Sequence, residues 1–228
     1  METNKRLASL DILRGLDLFL LLAAGPILHT FLRINTSPAW DGVRHQLTHV
    51  SWEGFVLWDI IMPLFMFMSG ATIPFSMAKY RGGEKPGKAF YLKLLKRFVL
   101  LFFLGWIVQG NLLKFDFKLF HPFANTLQAI AVGYVFTALA FVNFGKKGRW
   151  IFGTACFLAY LLVFMIFGHM NMDPQDNVAM LVDKAVLGSH RDGVIWNPDG
   201  SWAWNEGYQY TWILSSLNFI VTVMLGCY

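Results

Sequence analysis

Long apolar runs separated by short polar clusters dominate the chain, a pattern that fits neither alternating strands nor half-buried surface helices. A helix needs about 20 mostly apolar residues to cross a hydrocarbon core. Six runs meet or approach that length, at 12–33, 55–78, 97–113, 122–143, 150–168 and 212–228. The pattern therefore predicts an all-α fold, a polytopic transmembrane bundle of about six spans in a single domain over residues 1–228. Two stretches stand apart from the spans: 34–54, expected to lie on the outer interface, and 169–211, expected as an outer loop holding an amphipathic helix.

Composition agrees. Hydrophobic residues make up 56% of the chain and charged residues 14%, against about 25% in soluble domains. Cys156 and Cys227 fall inside apolar runs, which makes them packing residues rather than a disulfide framework. METNKRLASLD leads into a full-length span with no small-residue cleavage site, so no cleaved signal peptide is expected. Twelve basic residues, from Lys5 to Arg149, fall on the segments that share a side with the N-terminus, and six fall on the other side. Positive charge marks the cytoplasmic face, so the N-terminus is expected inside, in a bacterial inner membrane. The last run stops at Cys227-Tyr228 without a basic flank, and a truncated bundle is expected.

Several polar residues interrupt the apolar runs. An acid at the bilayer centre costs about 2.5–3.5 kcal/mol on insertion scales and ordinarily faces a bundle interior or a watery cavity. In HVSWEGFVLWDIIMPLFMFMSG (49–70), a regular helix would put Trp52, Asp59, Pro63, Met66 and Gly70 on one face. Asp59 then either lines a passage or bonds a neighbouring helix. In the first run Asp11, Gly15, Gly25 and His29 share a face, and Asp11-x-x-Arg14-x-x-Asp17 allows pairing three residues apart. That triad reads as a phosphate site built on the Arg14 fork or as a structural ion-pair ladder.

In the first outer segment Ser37 and Pro38 read as a helix cap and first-turn residue, and Trp40, Val43, Leu47 and Val50 as an interfacial stripe. Asp41, His45, His49 and Glu53 recur every four residues, a spacing shared by zinc sites and by solvated polar stripes; no metal is expected. An imidazole suits proton transfer near neutral pH, which singles out His49 beside the Asp59 helix. The second loop carries DPQDNVAMLVDKAVLG (173–188), read as a capped helix with Pro174 in its first turn and Gly188 after its end. Its aromatics Trp196, Trp202, Trp204, Tyr208, Tyr210 and Trp212 fit an interfacial belt or a stacking surface over an outer pocket.

RLASLDILRG (6–15) resembles the R-L-x-S-L-D-x-x-R-G opening of heparan-α-glucosaminide N-acetyltransferase-like membrane acyltransferases. The block from His49 to Gly70 is similar to that family's H-x-x-W-x-G-x-x-x-x-D-x-x-x-P-x-F-x-F-x-x-G, and ANTLQAIAVGY and VDKAVLG resemble later segments. The chain departs from the family where Gln128 is followed by Ala129 rather than a basic residue. The resemblance implies a bundle of about ten or eleven spans, of which these six are a part, each needing about 20 residues. It also implies acetyl transfer from cytoplasmic acetyl-CoA to an extracytoplasmic amino sugar or glycan, with His49 catalytic as base or transiently acetylated nucleophile.

The expected site is then His49 with Asp59 for catalysis; Arg6, Asp11, Arg14, Lys96, Arg97 and Gln128 for the CoA thioester; and His29, Trp52, Glu53 and Trp204 for the acceptor. Ten residues of regular helix would put His49 and Asp59 about 15 Å apart, so Asp59 could orient His49 only if the helix unwinds between them, and it is expected instead to bond another helix near the pantetheine path. Expected partners are membrane lipid, the CoA thioester, the glycan acceptor and a second copy of the chain, with no nucleic acid. Two other functions compete: a proton-coupled transporter using Asp17, Asp59 and His29, and a non-catalytic scaffold on the same fold.

Overall fold

The first rod is longer than the apolar run that predicts it. Ala8–Phe19 (α1), a π-helical turn at Leu20–Ala24 and Gly25–Ile34 (α2) follow one another without a break. Pro26 has no N–H to return to the preceding turn and its ring collides with the carbonyl there. The helix widens to compensate, and the Gly25 N–H reaches back five residues to Leu20 O. The computed structural model describes residues 8–50, 52–82, 84–110, 112 and 116–228.

A 3₁₀ turn at Pro38–Trp40 enters the short helix α3 (Asp41–Leu47). Ser37 makes no side-chain cap here; its N–H donates instead to Asn35 Oδ1 at 3.3 Å. The next run is segmented into a 3₁₀ turn at Leu57–Ile60, α4 (Ile61–Ala71), α5 (Ile73–Ser76) and a 3₁₀ turn at Ala78–Gly82. Helix α6 (Lys88–Val108) starts well before the apolar stretch, because its lysine-rich first half is a good helix former. Asn125 Oδ1 accepts the Leu127 N–H at 2.8 Å and caps α7 (Thr126–Asn143), which is followed by α8 (Lys146–Ile166).

Beyond α8 the chain forms α9 (Val178–Leu187), an antiparallel hairpin of β1 (Val194–Trp196) and β2 (Trp202–Trp204), and α10 (Ser216–Cys227). The loop helix α9 begins later than expected. Asp173 and Pro174 lie in the turn before it, and Asn177 Oδ1 caps it by accepting the Met180 N–H at 2.9 Å. Among the described residues three stretches are long and apolar enough to cross a membrane: Leu57–Ser76, Thr126–Asn143 and Lys146–Ile166. The chain is thus a mostly helical, membrane-associated protein.

The core lies where α4, α7 and α10 meet, with α6 against α7. Glycine permits the approach. A Cβ on Gly70 would overlap the Val223 carbonyl, and one on Gly226 would overlap the Phe67 carbonyl, so α4 and α10 touch backbone to backbone. Met66, Ile73, Tyr134, Phe141 and Val223 fill the space around the crossing. Cys156 packs on Ala140, Ile220 and Met224.

One buried acid joins the large loop to the bundle. Asp183 on α9 is fully buried and accepts the Trp212 N–H at 2.7 Å and the Ile213 N–H at 2.9 Å. The carboxylate thereby satisfies two N–H groups of the turn that leads into α10. Burial pushes the Asp183 carboxyl above its ordinary range, opposed by the two backbone donors and by Arg191.

Candidate functional site

His49 and Asp59 are in direct contact. His49 Nδ1 lies 2.6 Å from Asp59 Oδ1, and Asp59 Oδ2 accepts the Val56 N–H at 3.2 Å. This overturns the expectation that Asp59 bonds another helix. That estimate assumed one regular helix from 49 to 59. The described residues between Thr48 and Val56 are instead irregular, with Gly54 turning at φ +123°, and helix begins only at Leu57. Trp52 accordingly does not share a helical face with Asp59; its indole N–H donates to Met172 O at 2.8 Å, tying this loop to the 169–211 loop.

The pair has a direction. A carboxylate only accepts, so Asp59 takes the Nδ1 proton and leaves Nε2 as the basic atom of the ring. Among the described residues nothing hydrogen-bonds to Nε2. The His49 side chain is 51% exposed and that of Asp59 25%.

His49 stands where two hollows meet. One, of about 500 Å³, is polar and lined by Asp41, Arg44, His45, Thr48 and Glu53 as well as His49. The other, of about 580 Å³, runs into the bundle along Ile61, Met62, Phe65 and Ile130. Its polar lining residues include Gln109, Asn125, Thr126, Asp192 and Tyr208 as well as His49. In its wall Tyr210 packs edge-on to the His49 ring at 6.4 Å and to the Tyr208 ring at 5.4 Å. Tyr208 donates its phenol proton to Asp192 and accepts the Trp212 indole N–H at 3.1 Å. Burial, with the Asp192 charge beside it, pushes the Tyr208 phenol above its ordinary value, so it stays a neutral donor.

Other expected site residues are dispersed. Gln128 is buried and serves its own loop, accepting the Ala124 N–H at 2.8 Å and donating to Pro122 O at 3.2 Å, which leaves its amide no role toward a cofactor. Arg97 stacks on the Tyr134 ring at 3.9 Å, and Lys96 is exposed on α6. Asp11 is exposed, Arg14 half-buried, and neither lines the hollows at His49; Arg6 lies outside the described residues.

The expected Asp11–Arg14–Asp17 ladder does not form among the described residues. Asp17 is buried, and neither of its carboxylate oxygens is hydrogen-bonded among the described residues. His29 packs edge-on to Trp58 at 5.3 Å and lines neither hollow at His49. Glu53 lines the polar hollow, whereas Trp204 sits on β2 near Arg191 and Lys184 and does not reach the cavity. Helix α3 ends at Leu47, which splits the Asp41, His45, His49, Glu53 stripe between a helix and an irregular loop. Among the described residues no group of histidine, cysteine and acid side chains is placed to hold a metal.

Residues 6–188 match a family model described as a domain of unknown function, DUF5009. The chain belongs to that family. A search of curated proteins finds no match. The DUF5009 match includes His49, Asp59 and Gln109 but ends at Gly188, so Asp192, Tyr208, Tyr210 and Trp212 close the cavity from beyond it. Of those four, the sequence offered Tyr208, Tyr210 and Trp212 within an aromatic belt or stacking surface, and did not single out Asp192. The tyrosines and the tryptophan belong to an aromatic run, but Asp192 carries no motif around it.

Proposed function

We propose that this DUF5009 chain is the acyl-transferring part of a membrane acyltransferase, moving an acetyl group from cytoplasmic acetyl-CoA to an extracytoplasmic amino sugar or glycan. One observation carries the reading: an Asp-oriented histidine, with Nε2 as its basic atom, at the junction of a polar hollow and a mostly apolar cavity. Two hollows on one base suit two substrates that meet there. The apolar lining of the cavity fits a narrow thioester arm, and the polar hollow fits an acceptor arriving from water. The resemblance of residues 6–15 and 49–70 to heparan-α-glucosaminide N-acetyltransferase-like enzymes points the same way.

In this mechanism the acceptor amine attacks the thioester carbonyl while His49 Nε2 takes the proton it loses. The C–N bond forms, the C–S bond breaks, and the proton passes to the departing thiolate, which leaves as a thiol. Asp59 keeps Nδ1 protonated throughout and stabilises the imidazolium that forms. Arg14 and Lys96 are the described cations proposed to meet the CoA phosphates. The proposal includes six spans with the N-terminus inside the cell, in a bacterial inner membrane.

The test is transfer from radiolabelled acetyl-CoA to a panel of amino sugars by detergent-purified protein. Wild type is expected to label an acceptor, and His49→Ala to abolish labelling while binding of acetyl-CoA persists. Equal loss of binding and transfer in His49→Ala would overturn the catalytic role. A second reading, proton-coupled transport, rests on Asp17, whose carboxylate is buried on α1 with no hydrogen-bond partner among the described residues.

A further inference from the structure

A group of cations stands at the opposite end of α7 from the cavity at His49. Leu127 lines that cavity, whereas Asn143, about 24 Å further along the helix by its rise, lines a separate hollow of about 440 Å³. The two share no residue. Three elements each bring one cation to this second hollow: Arg81 from the 3₁₀ turn after α5, Lys85 from the segment before α6, and Arg149 from the first turn of α8. Among the described residues of its wall the only acid is Glu84.

Among the described residues none of the three cations is in an ion pair. Arg149 gives its Nε–H to Phe144 O at 2.9 Å and an Nη2–H to Phe141 O at 2.8 Å, which pins the guanidinium and leaves Nη1 without a partner there. Arg81 and Lys85 are exposed. The hollow also sits at a membrane boundary by helix length. Both α7 and α8 are long and apolar enough to span, and it lies at the turn that joins them. Tyr80 and Tyr91 flank it, as aromatics do at an interface. From Tyr91 the exposed side chains of Leu92, Leu95 and Val99 continue along α6 toward the level of the span, a path for an acyl chain.

We infer that Arg81, Lys85 and Arg149 form a binding site for the phosphate of an anionic phospholipid headgroup, seated at the membrane boundary with its acyl chains along α6. A phosphodiester presents anionic oxygens to guanidinium and ammonium groups that have no carboxylate of their own. Asn143 donates Nδ2 to Leu139 O at 2.8 Å, which leaves its Oδ1 to accept, and with Glu84 it suits the hydroxyls of a glycerol headgroup. A choline headgroup would instead bring a positive charge against three cations. The phosphates of CoA carry the same chemistry, but the exposed apolar path beside Tyr91 favours a lipid. The inference does not depend on the acyltransferase reading, because this hollow is separate from the cavity at His49.

The experiment is native mass spectrometry of the detergent-purified full chain, equilibrated at fixed ionic strength with equal amounts of phosphatidylglycerol and phosphatidylcholine of the same chain length. Wild type is expected to retain phosphatidylglycerol about 10-fold or more over phosphatidylcholine. Arg81→Gln combined with Lys85→Gln is expected to remove most of that preference, and both side chains are exposed, on a turn and a loop, so the fold tolerates the change. Arg149 is left in place because it also holds two carbonyls at the end of α7. Lys146→Gln combined with Lys147→Gln removes the same charge from the same end of the bundle but outside the hollow, and is expected to leave the preference within about 2-fold. Equal retention of the two lipids by wild type overturns the site. Equal losses in the two double variants also overturn it, since they mark diffuse attraction to a basic surface. CoA is then added at the concentration of the lipid. Phosphatidylglycerol that stays bound upholds the lipid as occupant; phosphatidylglycerol that CoA displaces from wild type overturns it and gives the phosphate site to CoA.

Discussion

Asp59→Asn separates the two tasks of that carboxylate. The amide oxygen can still accept the Val56 N–H, so the turn at Leu57–Ile60 stays capped. The amide NH₂ then faces His49 Nδ1 across the contact that is 2.6 Å in the native chain, and an NH₂ only donates. Nδ1 must become the acceptor, and its proton moves to Nε2. Replacing a charge-assisted hydrogen bond with a neutral one lowers stability by about 1 kcal/mol, since the two kinds contribute about 1.5–3 and 0.5–1.5 kcal/mol respectively. With His49 51% exposed, the value falls at the low end. The chemical effect is larger. A ring with Nε2 protonated cannot serve as the base, a role that contributes about 10²–10⁴-fold, so transfer is expected to fall by that factor in a folded protein. Long-range proton–nitrogen NMR of histidine-labelled protein reads the tautomer directly, with the His49 signal assigned from its loss in His49→Ala. Wild type is expected to show Nδ1–H and Asp59→Asn to show Nε2–H. The same tautomer in both proteins would refute the reasoning.

Gly70→Ala is expected to lower stability by at least about 1–3 kcal/mol, because its Cβ meets the Val223 backbone, which cannot move aside as a side chain does. Gly15→Ala, with nothing within 4 Å, is expected to be neutral or stabilising by about 0.5–1 kcal/mol; denaturation in mixed detergent micelles compares the two, and equal effects would disprove the close crossing. Asp183→Asn leaves either the Trp212 or the Ile213 N–H without an acceptor and should cost about 1–3 kcal/mol, read as a lower Tm in detergent with faster amide exchange at the start of α10. Tyr208 has its phenol raised by burial, so it favours the folded state below the unfolded value of about 10 and loses that contribution as pH rises through the folded value. Phenolate absorbance should therefore show a late-titrating tyrosine that Tyr208→Phe removes; an unchanged titration curve would contradict its burial.

Helix is what the sequence determines most directly, since a polypeptide in hydrocarbon must satisfy its backbone within each segment. The apolar runs mark each rod of the bundle to within a few residues at one end or the other. Departures at the ends follow from particular residues: Asn125 capping α7 and the lysines extending α6. Candidate chemistry was legible as residue types. His49 and Asp59 stand out because an imidazole and an acid beside apolar helix are costly unless used or paired. Their contact was not legible, because a periodicity argument treats 49–59 as helix and puts them about 15 Å apart. Only the fold shows the chain breaking at Gly54, folding back, and resuming as helix at Leu57.

Gln128 illustrates the reverse error. Its place in a motif-like segment suggested a ligand contact, and the structure commits both ends of its amide to the Pro122–Ala124 turn. Asp192 and Gln109 lie 83 residues apart and become one polar surface only when the large loop docks on the end of α6. Local propensity and hydrophobicity act over a few residues and are written along the chain. Cavity walls and hydrogen-bonded pairs depend on which distant backbones approach. Here that is decided by Gly70 and Gly226, which let α4 and α10 touch, and by Asp183, which fixes the loop to the start of α10.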